Sequence, residues 1–297
     1  MTAVQEAPVP TPAAPATVGG PTGKQFIQRL LANRRTAIAG GFLLAVVAVA
    51  VLAPLLAPHD YRDSVGKPLS AGGLLGIDDF GRDVFSRLLI GLRTSLLVAL
   101  SAVVVAGVLG VALGLVAGYV GRWASAIVMR GVDVLLSFPP IVLAIAVVAI
   151  LGPALTNVVL VIGVLYIPRF TRIVYSQVLA MRNLEYVEAA KLMGASHSHI
   201  LTRTILPNVA APIIVQLSLS VSFAIQMEAG LSFLGLGAQP PLPSLGTMVG
   251  SGRDFLEVQP TLLIYPSVLI ILVVLALNVL GDGMRDVLDP RRRGVES

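Results

Sequence analysis

Two glutamates, Glu185 and Glu188, open the stretch EYVEAAKLMGASHSHILTRTILPN, a polar break between long apolar runs. Both fall near the start of a short helix, where the helix dipole favours anions. Tyr186, Ala189, Ala190 and Met193 follow the i, i+3, i+4, i+7 spacing of one helix face. Gly194 suits the left-handed position that ends a helix. Ser196 can cap a second short helix over His197–Ile205, and Pro207 and Asn208 open the next apolar run. The chemistry on offer is recognition. Two short helices at an angle present a patch of small residues that suits docking into a groove on another protein. The plainer alternative is an interfacial helix.

Other residues with chemical capacity are few. His197 and His199, two apart on a helix, point to different sides and do not chelate. Glu228 sits inside an apolar run, where an ionisable side chain is a functional candidate by default. With Ser232 it is a candidate gate or substrate-path residue, or else a buried, hydrogen-bonded carboxyl that orders the structure. Asp78, Arg82, Asp83 and Arg87 are spaced to form a surface ion-pair network that helps fold a loop. The phosphate-binding pattern GxxxxGK[ST] is absent, so the chain is not expected to hydrolyse ATP by itself. With no cysteine, thiolate catalysis, disulfides and Cys-bound metal are excluded. No catalytic residue and no metal ligand is assigned.

The elements that hold these residues follow from composition. Of 297 residues, 56% are hydrophobic and only 12% charged, against about a quarter charged in soluble domains. The mean hydropathy is +0.87. This describes an all-α polytopic membrane protein. Six candidate spans are Thr36–Leu56, Ser95–Tyr119, Leu135–Leu151, Asn157–Tyr175, Asn208–Leu231 and Leu262–Leu280. The net charge of +5 reads as topology rather than nucleic-acid binding. Most Lys and Arg fall in segments that are cytoplasmic if both termini are, as the positive-inside rule requires. The third span is the weakest: it opens at SFPP, where Pro139 and Pro140 suit a helix start or a kink.

Residues 1–23, rich in Pro, Ala, Thr and Gly, are expected to form a disordered cytoplasmic tail. Residues 24–94 are assigned to the first span and an extracytoplasmic loop, 95–281 to the core with its loop at 183–207, and 282–297 to a cytoplasmic tail. In the second span Ala102, Ala106, Gly110, Gly114 and Gly118 recur every four residues. Such a stripe lets helix backbones approach closely in lipid, either within the bundle or at a subunit interface.

The polar stretch resembles the EAA loop of ABC importer permeases. Glu188, Ala189, Ala190, Gly194, Leu206 and Pro207 stand at the spacing of that motif, with Thr204 where an apolar residue is usual. GIDDFGRDVFSRLLIGLRTSLL, MEAGLSFLGLGAQPPLPSLGTM and NVLGDGMRDVLDP resemble signatures of the peptide/nickel permeases, with Ile77 in place of a usual Thr and Leu245 in place of a usual Trp. The resemblance spans about residues 25–292 and points to the C-type subunit of a dipeptide/oligopeptide importer in a bacterial inner membrane. It implies the type I ABC importer permease architecture and an EAA loop gripped by an ATPase. The implied partners are a homologous B-type permease, two ATPase subunits or one fused ATPase that bind ATP and Mg, and an extracytoplasmic binding protein. Nickel chelates, glutathione or haem are the alternative cargoes. Asp282, Arg285, Asp286 and Asp289 then form either a solvated cap or an ATPase contact. A rival of another class, an ion-coupled secondary transporter, needs matched intramembrane carboxylates in two halves, and Glu228 has no such match. A non-transporting scaffold of a membrane complex is the third reading.

Overall fold

The computed structural model describes residues 23–288, and the expected N-terminal tail and Asp289 lie outside them. Among the described residues there are helices and no strands, only two isolated bridges in the outer loop. A short α1 (Gly23–Ala32) leads into α2 (Arg34–Leu56), whose first turn is capped by the Asn33 side chain. After an irregular loop, α3 runs unbroken over Val84–Val120. It therefore starts well before Ser95, because Asp83 caps it by accepting from Ser86 N at 2.8 Å.

The third span is not one helix. It is α4 (Arg122–Leu136) and α5 (Pro140–Leu151), bent by 89°. Phe138 precedes Pro139 and is disfavoured in helical geometry, so α4 ends at Leu136. Pro140 then opens α5, where its missing N–H costs nothing. Two further long helices are α6 (Leu155–Met181) and α11 (Thr261–Leu288). Between them lie α7 (Glu185–Leu192), α8 (His197–His199), α9 (Leu206–Phe233) and α10 (Leu245–Gly252). Five helices are long and apolar enough to cross a membrane, or six if α4 and α5 form one broken span.

The expected second short helix does not stand apart. A π turn over Ile200–Ile205 joins α8 directly to α9, so His197–Phe233 is one continuous rod. Pro207 has no N–H to give to the helix ladder, and the wider turn just before it takes up the mismatch.

The small-residue stripe on α3 packs inside the bundle against α6. A Cβ on Gly110 would lie 2.6 Å from Phe170 Cβ, one on Gly114 2.7 Å from Val174 Cβ, and one on Gly118 2.6 Å from Val178 Cβ. These distances are too short for any side chain, so the two backbones meet at van der Waals contact. Ala102 and Ala106 are wholly buried on the same stripe.

Candidate functional site

Three sites emerge, one at each end of the bundle and one within it. The first is α7 and its anchors. Leu184 opens α7, and Glu185 and Glu188 occupy its first turn, exposed. The helix ends in a Schellman motif. Gly194 has φ +79°, Gly194 N donates to Lys191 O at 3.0 Å, and Ala195 N donates to Ala190 O at 3.1 Å. A Cβ at Gly194 would meet nothing, so the requirement for glycine there is conformational. Ser196 caps the next helix by accepting from His199 N at 3.3 Å, as its position in the sequence suggests.

This short helix has one buried residue, Val187, which is wholly enclosed with Val174, Val178, Ile200, Ile205 and Val209. Its outer face is apolar and exposed: Leu192 and Met193 are 89% and 81% accessible, and Tyr186 and Ala189 are exposed beside them. Of the expected face, Ala190 alone turns partly inward. An apolar face left open on an anchored helix suits either of the two readings of the sequence, docking to a partner or lying at the membrane interface. Polar links tie the surroundings to the spans. Arg182 donates to Gly118 O at 3.2 Å, Lys191 to Arg182 O at 3.4 Å, and Tyr119 Oη lies 3.1 Å from His197 Nδ1. His199 is exposed, and Leu206 and Pro207 form the start of α9. Sequence reasoning missed Val187, Arg182 and Tyr119. They anchor the loop, but their residue types carry no mark of it.

The second site surrounds Glu228, which is wholly buried on α9. Ser232, one turn on, donates to Glu228 Oε1 at 2.6 Å. Ser95 of α3 and Ser244, the cap of α10, lie beside the same carboxyl, whose Oε2 has no hydrogen-bond partner among the described residues. Ser95 also accepts from Leu245 N at 3.1 Å. Glycines let the three helices converge here. A Cβ on Gly246 would lie 2.6 Å from Ala229 O, and one on Gly91 3.3 Å from Met248 Sδ. Glu228 and Ser232 thus sit, buried in this chain, in a polar knot between α3, α9 and α10.

The loop between α2 and α3 packs against the start of α3 and against α10 and α11. Asp78, Asp83 and Arg87 are buried, so the network expected at the surface is an interior one. Asp78 Oδ2 receives Arg82 Nε at 2.7 Å and Arg87 Nε at 3.3 Å, and Arg87 Nη1 also reaches the Tyr61 and Pro241 carbonyls. Asp83 takes no part in these pairs; it caps α3. Loop backbone folded over the charges removes them from water, a burial the sequence pattern does not reveal. Burial and then the charge of Asp78 push the Asp79 carboxyl above the usual carboxylate range.

The third site is a pair of cations inside α6. Arg172 pairs with Asp133 of α4 at 2.6 Å. Arg169, one turn earlier, contacts only aromatic rings, Tyr166 at 4.8 Å and Phe223 of α9 at 4.6 Å. Sequence reasoning missed both, although a charge inside an apolar run is the signal that marks them. On α11, Asp282, Arg285 and Asp286 occupy the last helical turns. Among the described residues no cluster of His, Asp and Glu is arranged to hold a metal.

Known proteins resemble this chain over most of its length. The family described as binding-protein-dependent transport system inner membrane component matches residues 110–294, and the N-terminal TM domain of oligopeptide transport permease C matches residues 22–68. The glutathione transport system permease protein GsiD of Pectobacterium atrosepticum is 44% identical over 90% of this chain and 91% of its own. The dipeptide transport system permease protein DppC of Alkalihalophilus pseudofirmus is 42% identical over 96% and 94%. The di/tripeptide transport system permease protein DppC of Pseudomonas aeruginosa is 43% identical over 90% and 92%. Among solved structures, an inward-facing form of the MetNI methionine ABC transporter aligns with a TM-score of 0.56 at 19% identity, over 68% of this chain and 97% of that one.

Proposed function

Since the chain belongs to the family of inner membrane components of binding-protein-dependent transport systems, we propose that it is the C-type permease subunit of an ATP-driven importer of dipeptides and oligopeptides. It forms half of a translocation pore with a homologous B-type permease. A binding protein delivers peptide on the outer side, and two ATPase subunits, or one fused ATPase, bind ATP and Mg on the inner side. Both termini are cytoplasmic. The chain makes and breaks no covalent bond.

One observation carries this reading: α7 presents an exposed apolar face while a single buried valine, Val187, roots it among α6 and α9. An ATPase closing on Tyr186, Ala189, Leu192 and Met193 moves a body that cannot move without the spans. The Gly194 turn fixes the angle between α7 and α9, and the continuous rod from His197 to Phe233 carries displacement from the inner face to the Glu228 knot. Interfaces and packed cores switch between discrete arrangements rather than deforming continuously. Peptide cargo is supported by relatives named for dipeptide, di/tripeptide and glutathione transport. Uptake of labelled dipeptide into vesicles bearing the full complex, with ATP inside the energised compartment and with or without an ionophore, tests the proposal. Uptake should require ATP and the binding protein and should survive the ionophore. Abolition by the ionophore would indicate ion coupling, and ATP-independent absence of any transport would indicate a scaffold.

A further inference from the structure

Arg169 lies near the middle of α6, about 21 Å of helix from Leu155 and about 18 Å from Met181. A cation at that depth is costly unless it faces a partner or a water-filled cavity. Arg169 has neither an acidic side chain within ion-pair distance nor a hydrogen-bond acceptor among the described residues. It is partly exposed, and what holds it are two rings, Tyr166 on its own helix and Phe223 on α9. Ring contacts offset part of the cost of removing charge from water. They leave the planar fork of N–H donors unused, and that fork matches a carboxylate in two parallel hydrogen bonds.

The surface beside it is polar at the same level. Gln216 donates to Ser220 at 2.9 Å on α9, Phe223 follows, and Gln226 is exposed one turn beyond. Both amides donate within α9, to Ser220 and to the Ser222 carbonyl, so Arg169 is the group on this side of α6 and α9 that calls for water or protein. The neighbouring cation Arg172 already has Asp133 at 2.6 Å.

We infer that Arg169 is a carboxylate-binding residue of the translocation path and takes the C-terminal carboxylate of a passing peptide. This rests on the peptide reading above. Its recognition element is the free acid, so a peptide amide lacks what Arg169 binds.

The test uses the purified complex of both permeases and the ATPases, without binding protein or nucleotide, in detergent. Binding of dialanine and of dialanine amide is followed by saturation-transfer NMR. The wild type should bind the acid, and the amide roughly ten- to a hundredfold more weakly, the loss expected for charge-assisted hydrogen bonds. Arg169→Gln should weaken the acid to the level of the amide and leave the amide unchanged, while Arg169→Lys should restore part of the preference. Equal binding of acid and amide by the wild type, no binding of either, or unaltered preference in Arg169→Gln overturns the inference. So does loss of the sister permease from the Arg169→Gln complex with retention in Arg169→Lys, which would place an acidic residue of that partner on Arg169. Wild-type uptake with the binding protein present is scored separately, so failure of the peptide reading is distinguishable from failure of this site.

Discussion

The Tyr119 hydroxyl lies 3.1 Å from Nδ1 of His197, with the two rings edge to face at 5.6 Å. One residue ends α3 and the other begins the rod that becomes α9, so the contact closes the loop of α7 onto the spans. It is solvent-exposed, and a hydrogen bond there contributes about 0.5–1.5 kcal/mol at most. Tyr119→Phe should leave assembly and thermal stability of the complex unchanged and lower the peptide transported per ATP hydrolysed. Unchanged coupling in reconstituted vesicles would show that Val187 and Arg182 anchor α7 without this contact.

Gly114→Leu should prevent folding of this subunit. A Cβ there meets Val174 Cβ at 2.7 Å and Thr171 O at 2.8 Å, and a backbone oxygen cannot step aside. Overpacking at such a site costs about 3 kcal/mol or more, and separated helices gain no compensating hydrophobic burial in lipid. Gly131→Leu, where a Cβ meets nothing, is the matched control and should be tolerated. Equal yields of the two variants from membranes would refute the packing role.

Much of this was legible from residue types. The stripe on α3, the glycine that ends α7 and the cap at Ser196 each follow from a local rule: close approach, positive φ and an orphan N–H. What was illegible depended on distant chain. Whether Asp78 and Arg87 are buried depends on the Tyr61 and Pro241 carbonyls folding over them, and residues 154 apart carry no local pattern. The π turn before Pro207 was hidden for another reason. A proline predicts a fault in the ladder but not whether the chain breaks, as it does at Pro139, or widens and continues. Packing of Ile200 and Ile205 beneath α7 decides for continuation.

Glu228→Gln should preserve uptake. The amide keeps the shape and an oxygen for Ser232, whose hydroxyl donates at 2.6 Å. Glu228→Leu strands the Ser232 hydroxyl in a buried setting, at a cost of about 1–3 kcal/mol. Its complex should melt earlier in a detergent thermal scan. Loss of transport in Glu228→Gln with an unchanged melting curve would instead assign the carboxyl to the path.

Single cysteines at Ser70, Ser198 and Ser251 report the topology. No native cysteine competes, and Ser198 and Ser251 are exposed. A membrane-impermeant thiol reagent added outside intact cells should label positions 70 and 251 only. Outside labelling at 198 would put α7 on the wrong face for an ATPase.

The sharpest prediction concerns α7 itself. Gly194→Val and Glu188→Arg should each abolish uptake and leave the binding protein's affinity for peptide unchanged, by two different physical routes. Gly194 stands at φ +79° with open space where a Cβ would go. Valine therefore meets no neighbour, and its whole effect is conformational: a β-branched residue in left-handed geometry costs about 1–3 kcal/mol. The cheapest relief is to abandon the Schellman turn, which releases Gly194 N from Lys191 O and Ala195 N from Ala190 O and lets α7 swing relative to α9. Glu188→Arg leaves that geometry intact. It places a cation in the first turn against the dipole and presents the opposite sign to the partner's groove. A contact worth about 3 kcal/mol lost there weakens ATPase association roughly a hundredfold. The two variants should then separate in one experiment. Purified through a tag on this subunit, the Glu188→Arg complex should lose its ATPase. The Gly194→Val complex should retain more of it while losing peptide-stimulated hydrolysis. Full ATPase content and wild-type stimulated hydrolysis in both would show that α7 does not transmit the stroke.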